Sequence, residues 1–442
     1  MATEFTPELV AQEPSLPEVY ASVRISRSPL YWRRLLGFLG PGFLISVGYM
    51  DPGNWATDIA GGSRFGYTLL FVIMVSNLMA ILLQSLSLKL GVATERDLAQ
   101  LCRESTSRWL GVTLWLMAEI AIAACDLAEV IGSAIALNLL FHIPLIWGVL
   151  ITGLDVLLIL LLQRWGFRTV EAIVIALIGT ILALFCIQMV LSRPEHMAAL
   201  GAMFIPSAAI VTNRDMLYIA IAMLGATVMP HNLYLHSAIV QSRRYQRTPA
   251  GKREAIKMAN IDSALALTVA LFINAAILIV AAAVFHRSGH YEIQAIEDAF
   301  KLLSPLVGAG FASTLFAIAL LASGQNSSIT GTLAGQVVME GFIQMKLPQW
   351  QRRLITRSLA IIPTVIVVAL WGAHGTEKLL LLSQVILSMQ LSFAVVPLVI
   401  FTNSRTRMGQ FANGPLLKWT AWFVAALIAG LNTWLLLLVA KN

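Results

Sequence analysis

Apolar runs of about 20 residues, each long enough to cross a bilayer as a helix, recur eleven times along this 442-residue chain. That recurrence leaves few folds open. In hydrocarbon every backbone N–H and C=O must find its partner inside the protein, so such a chain folds as a bundle of membrane-crossing helices. The runs lie near 38–63, 66–90, 110–139, 144–163, 168–192, 215–242, 258–285, 309–343, 354–372, 376–402 and 416–440. Composition agrees. Hydrophobic residues make up 58% and charged residues 12%, against roughly 25% charged in soluble domains. A soluble enzyme, a disordered chain and a secreted disulfide scaffold are excluded. Cys102, Cys125 and Cys186 lie in or beside apolar runs without paired spacing, so neither a disulfide framework nor a cysteine metal site is expected. The first apolar run is preceded by a polar, proline-containing stretch, and no cleavable signal peptide is expected.

Most connections are short. Residues 37–442 are therefore expected to form one all-α polytopic transmembrane domain behind a loosely ordered tail, residues 1–36. The net charge of +7 is no nucleic-acid signature, because nothing interleaves basic and aromatic residues on a polar surface. The charge sits in the connections, most densely in 242–257. Threading eleven spans with the tail inside places 23 of the 30 Lys and Arg on the inner side and 7 outside. The positive-inside rule then predicts a cytoplasmic N-terminus and an external C-terminus. The bilayer is the expected partner, no nucleic acid is, and a monomer suffices.

Two spans are interrupted. The first carries Gly48, Tyr49, Met50, Asp51, Pro52, Gly53 and Asn54 mid-run, and the sixth carries Gly225 through Pro230, His231 and Asn232. Proline lacks the backbone donor and clashes with the preceding turn, so each helix should break there. An open helix is tolerated in a membrane only where it lines a cavity or binds something. Breaks in the first and sixth spans are the layout of an inverted repeat, about 38–192 and about 215–402, with an extra helix at about 416–440 and the binding site at the paired breaks.

The breaks carry donors. Asp51 is an ionisable residue near mid-membrane and a functional candidate on that ground. Asn54 offers an amide oxygen one turn on, Met229 a thioether, and Ala226 a carbonyl freed by the break. Magnesium and calcium favour all-oxygen shells. A thioether moves preference to softer divalent ions, from manganese to cadmium. In the third span, Glu119 and Asp126 are two turns apart on one face and Glu129 lies one turn further. Three acids in one span are costly unless they line a polar path.

Asp51, Pro52, Gly53 and Asn54 in the first span, with Met229, Pro230 and His231 in the sixth, resemble the Nramp family of proton-coupled divalent metal transporters, in its bacterial manganese-transporting (MntH-like) branch. A third marker, Gly324–Thr332 continuing through Ala334–Gln336 to Met339–Gly341, resembles that family's signature between the eighth and ninth spans. The resemblance covers about residues 35–440. It implies the LeuT-type fold of two inverted five-helix repeats plus an eleventh helix. It also implies import of Mn2+, with Fe2+, Cd2+ and Co2+ as further cargo, by proton symport and alternating access in the bacterial cytoplasmic (inner) membrane. No resident cofactor is implied; metal and proton are cargo.

Carried over position by position, the metal ligands fall on Asp51, Asn54, Met229 and the carbonyl of Ala226. A further carbonyl falls on Gly48, where many relatives are expected to have Ala, and Gln384 matches a glutamine of the tenth span that approaches the metal. Asp126 and Glu129 fall on the proton pathway, with Glu119 toward its far end. His231, next to the metal site, titrates near neutral pH and could pass a proton or serve packing; His236 is the weaker candidate. Arg352 and Arg353, at the start of the ninth span, either pair with the acids of the third span or anchor the inner face. Asp155, Glu171, Asp262 and Glu340 receive no role. A sodium or amino-acid symporter of the same fold would need no acid facing a thioether. An intramembrane metalloprotease would need a His-Glu-x-x-His motif, which is absent. A channel would show pore-lining repeats, and none is evident.

Overall fold

The computed structural model describes residues 14–26, 28, 30–154, 165–293, 295–344 and 348–440. Every expected span coincides with a helix, though of the fourth only Leu145–Thr152 falls among the described residues, and Asp155 lies outside them. The first span is two pieces, Pro41–Met50 and Pro52–Phe65, and the sixth is Arg214–Thr227 and Pro230–Ile239. The second (Leu70–Thr94), third (Arg108–Phe141), fifth (Phe167–Ser192), eighth (Ala312–Ile343), ninth (Gln349–Trp371), tenth (Ala373–Asn403) and eleventh (Pro415–Ala440) are continuous. The seventh starts at Pro249, nine residues before the apolar run. Thr248 caps it by accepting from the Gly251 N–H, and Pro249 occupies the first position, where its missing donor costs nothing.

Seven of these stretches are long and apolar enough to cross a bilayer by their own composition. The eighth is not among them, because Gly324–Thr332 in its middle is polar. That polar stretch faces protein instead. Ser323 Oγ donates to the Met50 carbonyl (2.6 Å), and the helix packs closely on the third through small residues. Side-chain-free Gly331 leaves room for two carboxylates: a Cβ there would stand 3.0 Å from both Asp126 and Glu129.

The entry to the first span is fixed from three sides. Asp262 of the seventh span accepts from the N–H groups of Gly40 (3.1 Å) and Gly42 (2.7 Å), placing a carboxylate at a helix N-terminus. Arg243, just past the sixth span, bonds both oxygens of Glu171 of the fifth (2.5 and 3.1 Å) and the Leu39 carbonyl (2.8 Å). Gly40 sits at φ +141°, and a Cβ there would lie 2.4 Å from the Glu171 carboxyl carbon, so this corner requires glycine. Glu171 and Asp262, assigned nothing from sequence, are thus structural anchors. Above the corner, Trp55 is fully buried edge-on between Phe185 (5.0 Å) and Phe316 (5.1 Å).

The N-terminal stretch is not loose throughout. From Ser15 it is docked: Leu16 and Val19 are buried, and Val23–Arg24 pairs in parallel with Arg243–Arg244 as a two-stranded ribbon.

The corner makes a stability prediction. Glu171→Ala would leave buried Arg243 without its countercharge, at a cost of about 3–5 kcal/mol. Glu254→Gln would break the half-exposed Arg34–Glu254 pair, at a cost of about 0–1 kcal/mol. Thermal unfolding of detergent-purified protein should show a large downward shift for the first and a negligible one for the second.

Candidate functional site at the paired helix breaks

The two breaks share one piece of backbone arithmetic. In an α-helix a carbonyl bonds the N–H four residues on. For Gly48 that residue is Pro52, and for Ala226 it is Pro230. Each proline therefore leaves one carbonyl without its helical partner. At the first break Asp51 turns extended (φ −70°, ψ 169°) and caps the second half-helix by accepting from the Asn54 N–H at 2.9 Å. At the sixth, Val228 and Met229 leave helical geometry (φ −103°, ψ 83°; φ −80°, ψ 124°).

The breaks meet. A Cβ on Gly48 would stand 3.1 Å from Met229 Sδ and 2.2 Å from Asn232 Nδ2, and one on Gly53 would stand 1.8 Å from Gln384 Nε2. The tenth span thus lays Gln384 over the first turn beyond Asp51. Asp51, Ala226, Met229 and Gln384 are fully buried and Asn54 nearly so. Asp51 Oδ2, Asn54 Oδ1 and Gln384 Oε1 are all buried without a hydrogen-bond partner. Burying one such oxygen costs about 1–3 kcal/mol, and more for a carboxylate. Buried oxygens left unpaired suit a cation. The Met229 side chain lies in an apolar pocket with Ala121, Cys125 and Leu387. Among the described residues no three His, Cys, Asp or Glu cluster as a metal centre. The donor set here is of another kind, one carboxylate with amides, carbonyls and a thioether.

Beside this site lie the acids of the third span. Glu129 accepts from Ser327 Oγ (2.8 Å) and faces Arg357 Nη1 (3.4 Å), and Arg357 also donates to Ser328 Oγ (2.7 Å). Asp126 lies beside Gly331 with Glu129. Glu119 is half-buried, further along the same face, and accepts from Trp115 Nε1 (3.0 Å). Two histidines follow the sixth break. His231 Nδ1 has no partner. His236 Nδ1 meets Gln84 Oε1 (2.8 Å), and Gln84 Nε2 donates to the Tyr49 hydroxyl (2.7 Å), which links this histidine to the first break.

Arg352 and Arg353 fall in the opening turn of the ninth span, and their side chains lie outside the described residues. Among the described residues Arg357, one turn on, is a basic partner of Glu129. Sequence reading missed it by counting it as an anchor of the inner face. The available signal was its position, an arginine a full turn inside an apolar run, which is costly without an acid to meet. Gln84 and Tyr49 were missed as well, since one polar side chain in an apolar helix does not reveal its partner.

A bundle of membrane helices whose first and sixth spans break opposite each other around a buried, unpaired set of donors is a multi-pass membrane transporter, not an enzyme. The fold is the LeuT-type arrangement of two five-helix repeats. Mhp1, a nucleobase-cation-symport-1 family transporter, superposes with a TM-score of 0.59 at 13% identity, covering 90% of this chain and 92% of that one. Residues 42–438 match the Nramp family, described as natural resistance-associated macrophage protein-like, and the chain belongs to it. A divalent metal cation transporter MntH from a Nostoc species is 61% identical over 424 residues, 96% of each protein. The manganese transporter of Eremococcus coleocola is 44% identical and superposes with a TM-score of 0.89 over 95% of this chain and 90% of that one.

The Glu129–Arg357 contact can be tested without any transport assay. Arg357→Gln would leave a fully buried carboxylate without its countercharge and should cost about 3–5 kcal/mol, while Glu129→Gln in the same chain should return part of the loss. Thermal unfolding of the two single variants and the double variant reads that coupling.

Proposed function

We propose that this protein imports divalent transition-metal ions, Mn2+ foremost and Fe2+, Cd2+ and Co2+ besides, in symport with protons across the bacterial cytoplasmic membrane. The observation that supports this reading is that the two breaks lie together, Gly48 against Met229 and Gly53 against Gln384, and that Asp51, Asn54 and Gln384 each bury an oxygen with no hydrogen-bond partner among the described residues. Oxygen donors replace the ion's water. The sulfur disfavours the hard ions calcium and magnesium, which are far more abundant. The relatives named above, one a divalent metal cation transporter and one a manganese transporter, support the same cargo.

The broken helices suit alternating access, and the charge distribution sets its direction. The N-terminus lies in the cytoplasm and the C-terminus outside, as the distribution of lysine and arginine requires. Metal enters from outside, sheds water to the ligands, and the broken spans rock against the rest of the bundle to close the outer path and open the inner one. An inward-negative potential contributes about 2.3 kcal/mol per charge per 100 mV. Asp51 or Asp126 takes the proton. Glu129 with Arg357, and Glu119 beyond, lead it along the third span. His231 and His236 sit where they can pass or sense it. The protein works as a monomer with no resident cofactor.

Uptake into proteoliposomes holding a pH dye tests this. Wild type should take up Mn2+ with internal acidification, and Asp51→Ala should abolish both. Met229→Ala should keep Mn2+ uptake while shifting the Mn2+-to-Ca2+ preference by about tenfold, which corresponds to ~1.4 kcal/mol. Normal transport by Asp51→Ala would return the protein to the organic-solute symporters of the same fold.

A further inference from the structure

Rocking transport requires the inner ends of the sixth and eighth spans to part. Among the described residues, the N-terminal segment 15–24 lies across that seam and bonds both sides. Toward the sixth span the bonds are backbone. The Ala21 N–H donates to the Gln241 carbonyl (3.0 Å), and Val23 and Arg24 pair in register with Arg243 and Arg244. The Tyr20 hydroxyl adds a bond from Arg247. Toward the eighth span the bonds are made by side chains. Gln336 Nε2 donates to Glu18 (3.1 Å) and to Glu340 (3.0 Å), so the two carboxylates bracket one amide nitrogen. Ser15 Oγ donates to Asp97 (2.5 Å) at the start of the helix Leu98–Ser105. That helix is itself pressed on the eighth span: Arg103 Nη1 donates to the Gly341 carbonyl (2.6 Å), and a Cβ on Gly341 would stand 2.5 Å from Ala99.

The segment is seated, not merely draped. Leu16 and Val19 are buried with the main core, and Ser15 is 3% exposed. Between the segment, Asp97 and the end of the sixth span only about 10 Å³ remains open, at most about one water. The segment thus adds to a seam that Tyr234 against Phe342 (5.6 Å) and the Leu98 N–H on Ser237 Oγ (2.9 Å) also hold.

We propose that residues 15–24 are an inner latch: they ride with the sixth span and must release the eighth for the site to open toward the cytoplasm. The asymmetry of the contacts gives the direction of release. Ribbon pairing runs along the backbone, whereas the eighth-span side is held through side chains, among them Glu18, which is exposed. Side-chain bonds at the edge of solvent exchange for water more readily than backbone pairing does. This latch rests on the transport reading above.

Two thiol bridges separate the alternatives, both in a Cys186→Ser background, because Cys186 is the exposed native cysteine and Cys102 and Cys125 are buried. Glu18→Cys with Glu340→Cys, joined by a short bis-methanethiosulfonate reagent, ties the latch to the eighth span. Arg24→Cys with Arg244→Cys, oxidised to a disulfide, ties register partners and so fastens the latch to the sixth span, where it already rides. Mn2+ uptake into proteoliposomes should fall at least tenfold in the first bridged protein, recover on reduction, and stay within twofold of its reduced value in the second. The latch is overturned if the first bridged protein transports as fast as its reduced form, or if both bridges block equally. Should neither unbridged protein move Mn2+ while both are folded, the transport reading fails and not the latch.

Discussion

Two missing N–H groups organise this molecule. Pro52 and Pro230 each withhold a donor from a carbonyl one helical turn earlier, at Gly48 and Ala226. A lone break of this kind in a membrane helix would be a defect costing several kcal/mol. Two of them placed face to face become a polar chamber, and much of the surrounding structure serves to keep that chamber closed and aligned. Asp51 caps one half-helix with one oxygen and keeps the other unengaged. Ser323 and Asn274 reach in from the eighth and seventh spans to satisfy the carbonyls of Met50 and Tyr49. The carbonyls of Met50 and Tyr49 are thus accounted for, while Asp51, Asn54 and Gln384 each keep an oxygen unpaired among the described residues.

The same logic explains why the neighbouring charges are tolerated. Glu129 is fully buried yet meets Ser327 and Arg357, and Gly331 opens the space for it and Asp126 between the third and eighth spans. At the basic face, Arg243 and Glu171 form a second buried pair, joined to the backbone that leads into the first span. One pair lies beside the chamber and the other below it. Both are held by helices, and the backbone between the half-helices leaves helical geometry at Asp51 and at Val228 and Met229.

What the sequence disclosed and what it withheld divide along physical lines. The spans were legible because apolar length is a local property, and the breaks because proline acts within one turn. Asp51, Asn54, Ala226 and Met229 could be proposed as donors from the same local facts. Arg357 was not recognised as the partner of Glu129 because the two are 228 residues apart and only the fold brings them together. The docking of the N-terminal segment was equally hidden. Ser15, Leu16 and Val19 form too short a pattern to read, and Glu18 meets a residue 318 positions away. The early start of the seventh helix escaped notice since its first nine residues are basic and polar, helical by capping and not by apolarity.

The polar middle of the eighth span has a consequence for how the protein is made. A segment carrying Gln325, Asn326, Ser327, Ser328 and Thr330 partitions poorly into lipid alone. Ser323 and Ser327 find partners on the first and third spans and Asn326 on the fifth, all of which leave the ribosome earlier, while Ser328 meets Arg357 of the ninth. Membrane integration of this helix is therefore a templated step. The N-terminal half has to be present to receive it, and the order of synthesis doubles as the order of assembly.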